Sequence, residues 1–369
     1  MLILLYGLTI SSFLFLKEKK HNWIIFALIL CFFLWSINGQ YTDFKGYYEI
    51  FERINNSGSN AVGATPGWFI LCRLFGILGF NYYGMSLVLA FLSCFLLHRL
   101  FVNFDVNENV IWSILFIFPL LINGIQIRFF FTMAIVAYCL KFLIFKSNLA
   151  LLKFTVGILI ATAIHSASAV FFIAILIMLY EHHRKKFNIG LTIIITIGML
   201  AGVQFIPLVA KAFLTPSQYS RYISNSYTVS SLKWVIAIVV CWLISVFIIK
   251  FLFLIVPVEL KRQMKKEGSL IIYKRILRIV CILGLTLPLL IFDRNYHRYI
   301  QLGYILDALC IGIYWNKSGM KTRENLTEKI LLFLCLVLVL MPAIYSFECV
   351  PVNAVAPLFK IIGFPCLLR

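Results

Sequence analysis

Long apolar runs recur from one end of the chain to the other, and they limit its fold more than any other feature. The run from Trp234 to Val256 is typical, because Lys250 is its only charged residue. A helix needs roughly 20 apolar residues to cross a bilayer core of about 30 Å. Charged residues make up only 13% of the 369 residues, whereas soluble domains carry about a quarter. The sequence therefore predicts an all-α, polytopic integral membrane protein and excludes a water-soluble globular protein.

Breaking the apolar runs at charges, Pro, Gly and Asn predicts about twelve transmembrane helices in a single transmembrane domain, residues 1–369. The predicted spans lie near residues 1–16, 22–38, 82–101, 109–123, 129–146, 149–164, 166–180, 189–206, 233–256, 271–292, 299–315 and 330–347. The segment from Pro66 to Gly79 is short for a span and carries Arg73. We therefore expect one re-entrant or interfacial helix there.

Basic residues lie in short segments between the apolar runs. If Pro66–Gly79 does not cross the membrane, every basic cluster falls on one side, as expected of loops retained in the cytoplasm. The formal charge of +19 is therefore interpreted as a topology signal, and nucleic acid is not an expected partner.

The same topology places two long polar segments outside the cytoplasm. Residues 39–81 form the first large extracytoplasmic loop, which includes the re-entrant segment, and residues 207–232 form the second. Loops of this length are candidates for function. The ten cysteines are scattered singly, without the spacing of metal ligands. We therefore predict neither a metal site nor a cofactor.

Five polar groups gather on the predicted outer side of the membrane. They contain Asp43, Arg128, His165, Arg221, and the stretch Asp293–Tyr299 with Arg294 and Arg298. Arginine offers a planar fork of donors to diphosphate oxygens, and aromatic rings cover sugar faces. The combination suits a phosphorylated lipid head group that carries a sugar. For Arg221 and Arg298 the alternative is an interfacial anchor.

Two of these residues interrupt apolar sequence. Arg128 lies between two apolar runs, a position that costs several kcal/mol unless the side chain has a partner or a ligand. We therefore expect Arg128 to have one or the other. His165 interrupts the apolar stretch from Phe154 to Leu179, and the alternative for it is a hydrogen bond between helices.

The order of these motifs resembles a known family. The matching segments are Asp43-Phe44-Lys45-Gly46-Tyr47, Pro66-Gly67-Trp68, Arg128-Phe129, His165-Ser166-Ala167-Ser168 and Arg294–Tyr299. Together they resemble the EpsG family of bacterial exopolysaccharide polymerases, which are related in role to the Wzy polymerases of capsule and O-antigen synthesis. Thr65 stands where the family pattern has Glu before Pro-Gly.

The resemblance implies a multi-pass enzyme of the bacterial cytoplasmic (inner) membrane. Such an enzyme is a glycosyltransferase that joins undecaprenyl-diphosphate-linked repeat units to a growing glycan at the outer face. Its expected partners are these lipid-linked glycans, with a chain-length regulator and a flippase of the same pathway. A lipid-linked oligosaccharide flippase and a membrane O-acyltransferase are the alternatives.

The expected site residues follow from the resemblance and from their chemistry. His165 is the expected base for the acceptor hydroxyl and Asp43 the group that positions the acceptor, with the reverse division as the alternative. The diphosphate is expected to bind at Arg128 and Arg294. Further substrate contacts are expected from Arg298, Arg221, Tyr47 and Ser168.

Overall fold

The computed structural model describes residues 23–37, 42–57, 64–104, 106, 108–117, 124, 126–176, 192, 195–196, 198, 232–255, 258–291 and 298–317. Within these ranges every element is helical, which confirms the all-α prediction. The α-helices are α1 (Trp23–Ile37), α2 (Thr42–Ser57), α3 (Pro66–Ile77), α4 (Tyr82–Phe101), α5 (Glu108–Ile117), α6 (Ile127–Phe145), α7 (Ala150–Ile164), α8 (Leu232–Ile255), α9 (Val258–Lys266), α10 (Ser269–Leu283) and α11 (Arg298–Lys317). Helices of the 3₁₀ type lie at Val102–Phe104, Ser166–Ile175 and Gly284–Ile291.

The chain divides into two compact units, residues 1–169 with 311–369 and residues 170–310. In the first unit α6 is the central helix, packed against α4 and α7. Phe130, Met133 and Val136 of α6 are fully buried, as expected of a helix that is apolar on all sides.

The end of α6 sets the course of the chain toward the site. The chain leaves α6 at Lys146, whose φ of 49° is left-handed, and the Ser147 N–H donates to the Phe142 carbonyl at 3.2 Å. This type of C-terminal cap reverses the chain directly into α7. The start of α6 consequently lies beside the end of α7.

In the second unit α8 and α10 pack against each other and are joined through α9. The indole Nε1 of Trp242 in α8 donates to the Val280 carbonyl of α10 at 2.8 Å. Ser245 of α8 donates to the buried carboxyl group of Asp307 in α11. These contacts join α8 to α10 and to Asp307 of α11.

The described residues support a membrane protein in two ways. Tyr82–Phe104 and Ile127–Phe145 have the length and composition of membrane spans. Other helices expose apolar stripes, and α7 leaves Leu152, Val156 and Leu159 between 45% and 56% exposed. Contiguous exposed apolar surface is rare on soluble monomers and is expected of a surface that faces lipid.

The predicted arrangement of about twelve spans stays a prediction. The predicted spans 22–38, 82–101, 129–146 and 149–164 correspond to α1, α4, α6 and α7. Those at 1–16 and 330–347 lie outside the described residues, as does nearly all of the predicted outer loop 207–232.

The first predicted outer loop, residues 39–81, contains two helices, α2 and α3. With 12 residues, α3 is about 18 Å long, shorter than the bilayer core of about 30 Å. A helix of this length does not by itself span the core, and its re-entrant or interfacial placement on the outer side stays a prediction.

Candidate functional site

Three helix ends meet in the first unit: the start of α3, the start of α6 and the end of α7. The Thr65 hydroxyl donates to the Ile164 carbonyl at 2.6 Å. Arg128 donates from Nε to the same carbonyl at 2.8 Å and from Nη2 to the Thr65 hydroxyl oxygen at 2.9 Å. These three hydrogen bonds tie the helix ends together, and we call Thr65, Arg128 and Ile164 the arginine triangle.

Arg128 is buried, with only 7% of its surface exposed. Its guanidinium carbon lies 5.4 Å from the centre of the Trp68 ring, within the range of a cation–π contact. The partners that the sequence led us to expect are therefore present. Both oxygens of the triangle are neutral, and these hydrogen bonds orient the guanidinium.

The helix ends add to the positive potential at this point. Each helix carries a partial positive charge at its N-terminus, where N–H groups lack partners within the helix. The starts of α3 and α6 converge with the Arg128 guanidinium, and the carbonyl end of α7 is occupied by the triangle. An arrangement of this kind favours an anion such as a diphosphate.

Gly67 permits the close approach of α3 to α7. A Cβ atom at this position would lie 2.7 Å from the carbonyl carbon of Ala163 and 2.9 Å from the Ile164 nitrogen. Both are backbone atoms, so the clash cannot be relieved by a side-chain rotation. The arginine triangle therefore depends on a glycine after Pro66.

We expect Gly67→Ala to lose most polymer formation, because α3 must move away from α7 and carry Thr65 off Ile164. Overpacking of this kind costs about 1–3 kcal/mol of stability. The measurements are polymer yield in cells and thermal unfolding of the purified protein. Gly46→Ala is the matched control, since a Cβ there meets nothing within 4 Å. Wild-type polymer from Gly67→Ala would contradict the importance of this contact.

His165 ends α7 and turns out of the helix, with φ −140° and ψ 108°. Its ring stands edge-on to Phe129 at 5.8 Å. The Ala167 N–H donates to Nδ1 of the ring at 3.2 Å, and the Ser168 N–H donates to the His165 carbonyl at 2.9 Å. Because Nδ1 accepts, the proton of a neutral ring lies on Nε2, which then acts as a donor.

Tyr47 of α2 lies over the same region, its ring 5.9 Å from that of Trp68. Tyr47, Phe51 and Ile54 recur at helical spacing, and Phe51 and Ile54 are buried. Asp43 belongs to the same helix, one turn before Tyr47. The structure thus brings the start of α2 to the region of Trp68 and Arg128, while the Asp43 side chain lies outside the described part.

Some of the buried polar atoms without a hydrogen-bond partner lie near these helix ends. Among the described residues they include the Trp68 Nε1, the Gln126 Oε1, the Thr162 hydroxyl and the Ser168 hydroxyl. Buried polar groups are nearly always paired in folded proteins, so water or a ligand would complete the bonding of these four atoms. The Ser168 hydroxyl is among these atoms, and its contact with substrate stays a prediction.

The remaining predicted residues are not brought to this place by the described structure. Arg221 and Arg294 lie outside the described residues, and Arg298 begins α11 with its side chain likewise outside them. In the part of the chain that the structure describes, no three His, Cys, Asp or Glu side chains form a group suited to a metal ion.

Comparison with protein families shows which family the chain belongs to. The model of the EpsG family matches residues 21–351, most of the chain. The chain belongs to the EpsG family. No curated protein and no solved structure matches it with significance. Membership confirms the resemblance seen in the sequence and points to a membrane-bound exopolysaccharide polymerase.

Sequence reasoning missed two contributors to the site of this EpsG-family protein. In the sequence Thr65 is only a departure from the family pattern, and Gln126 carries no signal of a role. Threonine before proline is a common start of a helix, where its hydroxyl usually caps N–H groups. In this protein the Thr65 hydroxyl makes no such cap. It donates to the Ile164 carbonyl and accepts from Arg128 instead.

Proposed function

We propose that this protein joins undecaprenyl-diphosphate-linked oligosaccharide repeat units into capsular, O-antigen or exopolysaccharide at the outer face of the cytoplasmic membrane. Family membership supports polymerisation. The observation that carries the substrate class is the arginine triangle, in which a buried guanidinium meets two helix N-termini. A diphosphate fits this potential better than a neutral sugar does.

The proposed reaction exchanges one bond for another. The acceptor hydroxyl oxygen attacks the anomeric carbon of the growing glycan, and the bond from this carbon to the diphosphate oxygen breaks. Undecaprenyl diphosphate leaves with the electron pair. Arg128 stabilises the charge that develops on the leaving oxygen, because the triangle holds the guanidinium in place before the reaction begins.

The acceptor proton needs a base. The Ala167 N–H occupies Nδ1 of His165, so the neutral ring presents Nε2–H and donates rather than accepts. We therefore propose that the Asp43 carboxylate accepts the proton of the acceptor hydroxyl. The Nε2–H of His165 then donates a hydrogen bond to a phosphate or glycan oxygen. This division of roles is the reverse of the one favoured by the sequence alone.

The other predicted residues complete the proposal. Arg294, Arg298 and Arg221 would contact the second lipid-linked substrate, and Tyr47 and Ser168 would contact sugar. Such an enzyme would lie in the inner membrane as a multi-pass protein and act beside a flippase and a chain-length regulator. The basic clusters on one predicted side of the membrane support the outer-face placement of the site.

Deleting the protein should leave single repeat units on their lipid carrier, exposed at the outer face. The accumulated lipid is extracted after intact cells have been treated with periodate, an oxidant of sugars that crosses the membrane poorly. Oxidised single units support a polymerase. Single units that lie inside the cell and escape periodate would instead indicate a flippase. Polymer of normal length that lacks an acyl group would indicate an acyltransferase.

A further inference from the structure

The second unit carries a dense group of cations around the α8–α9–α10 turn. Between residues 250 and 278 the sequence contains Lys250, Lys261, Arg262, Lys265, Lys266, Lys274, Arg275 and Arg278, against Glu259 and Glu267. In the second unit Lys250, Arg262, Lys265, Lys266 and Lys274 are exposed. A topology signal requires only positive charge in a loop, whereas three of these cations, Lys274, Arg275 and Arg278, lie inside helix α10.

Cations lie on two adjacent helices of this unit. The indole of Trp242 in α8 donates to the Val280 carbonyl of α10, so the two helices are in direct contact. Lys250 follows Trp242 on α8, and Lys274, Arg275 and Arg278 precede Val280 on α10. The basic helix α9 lies between them in the chain and packs against α10. The cations of α8, α9 and α10 therefore belong to one packed group of helices.

Lys250 stands in an apolar, outward-facing stripe. Its neighbours along α8 on this stripe are Phe247 and Leu254, which are 54% and 60% exposed. On α10, Ile271 is 53% exposed beside Lys274, whereas Tyr273 and Ile276 are buried. Cations flanked by exposed apolar side chains are suited to the boundary between lipid tails and head groups, where the long stem of Lys lies in hydrocarbon and its charge meets phosphate.

We propose that Lys250, Lys274, Arg275 and Arg278, with the exposed cations of α9, form a binding surface for anionic phospholipid head groups, which we call the α8–α10 basic surface. Charge complementarity and the apolar setting both point to a lipid rather than a soluble anion. By the distribution of basic clusters, the lipid belongs to the cytoplasmic leaflet. This inference goes beyond the proposed function and uses none of its site residues.

Native mass spectrometry of the purified full-length protein with added tetraoleoyl cardiolipin tests the proposal. The triple variant Lys250→Gln, Lys274→Gln, Arg275→Gln should bind this lipid about 100-fold more weakly, since each cation near an anionic surface contributes about fivefold. Lys250→Gln alone should weaken it about fivefold, and this variant serves if the triple variant fails to fold. Dioleoyl phosphatidylcholine, which has no net charge, should bind equally to all of them.

The control removes three cations from the α6–α7 turn, Lys141→Gln, Lys146→Gln, Lys153→Gln, where the predicted side of the membrane is the same. It should keep cardiolipin binding within a few fold of the wild type. Equal losses from both triple variants would overturn the proposal, because binding would then follow net charge alone. Displacement of cardiolipin by an equal concentration of sodium pyrophosphate would also overturn it, because the surface would then bind free phosphate rather than lipid.

Discussion

Replacing Arg128 by Lys is expected to abolish most polymer formation, although the protein still inserts into the membrane and the charge is kept. Lysine offers one ammonium group on a flexible stem, and it cannot hold both the Ile164 carbonyl and the Thr65 hydroxyl while lying over Trp68. Hydrogen bonds that involve a charged group contribute about 1.5–3 kcal/mol each, so we expect a loss of about 100-fold in turnover.

Polymer yield in a complemented deletion strain and the amount of inserted protein are the measurements. Arg73→Lys is the matched control, because Arg73 lies on α3, is exposed, and donates to the Asn55 carbonyl at 3.3 Å outside the triangle. It should support near wild-type polymer. If Arg128→Lys did the same, neither the arginine triangle nor the planar fork of Arg128 would be needed for polymer formation. From the family resemblance, Arg294→Lys is expected to fail like Arg128→Lys.

The second large effect on turnover is expected from substitutions of His165 and Asp43. His165→Ala should lower turnover by about 10²–10⁴-fold, the usual range for a group that assists proton transfer or charge development. His165→Gln should recover part of this loss, because the glutamine amide supplies a donor where Nε2–H stood. Asp43→Asn should lose turnover while the substrates still bind, since an amide accepts no proton.

Steady-state rates and substrate affinities of the purified variants separate the two assignments. Two results together would show that His165 is the base. His165→Gln would be as inactive as His165→Ala, and Asp43→Asn would be impaired only in acceptor affinity. Full turnover in His165→Ala would remove the histidine from the reaction altogether.

Part of the candidate site could be predicted from the sequence, and particular residues show why. Arg128 was expected to need a partner because it lies between apolar runs, and the structure supplies Thr65 and Ile164. The end of the predicted span 149–164 coincides with the end of α7. Apolar runs and isolated polar residues are local signals, and a single sequence contains them directly.

What the sequence did not supply depends on contacts between distant segments. No pattern in the chain pairs Thr65 with Ile164, because their contact arises only when α3 packs on α7 through Gly67. The position of the proton on the His165 ring follows from the hydrogen bond that the Ala167 N–H donates to Nδ1. The sequence alone does not reveal this contact. By contrast, the helical spacing of Tyr47, Phe51 and Ile54 was present in the segment interpreted as a loop, and it could have predicted α2.

The proposed function is tested by polymerisation with the purified protein in proteoliposomes that contain undecaprenyl-diphosphate-linked repeat units as the only substrate. We expect a ladder of glycans of increasing length, the release of one undecaprenyl diphosphate for each new bond, and the loss of both in Arg128→Lys. Repeat units that stay single while the folded protein moves them from one leaflet to the other would contradict it.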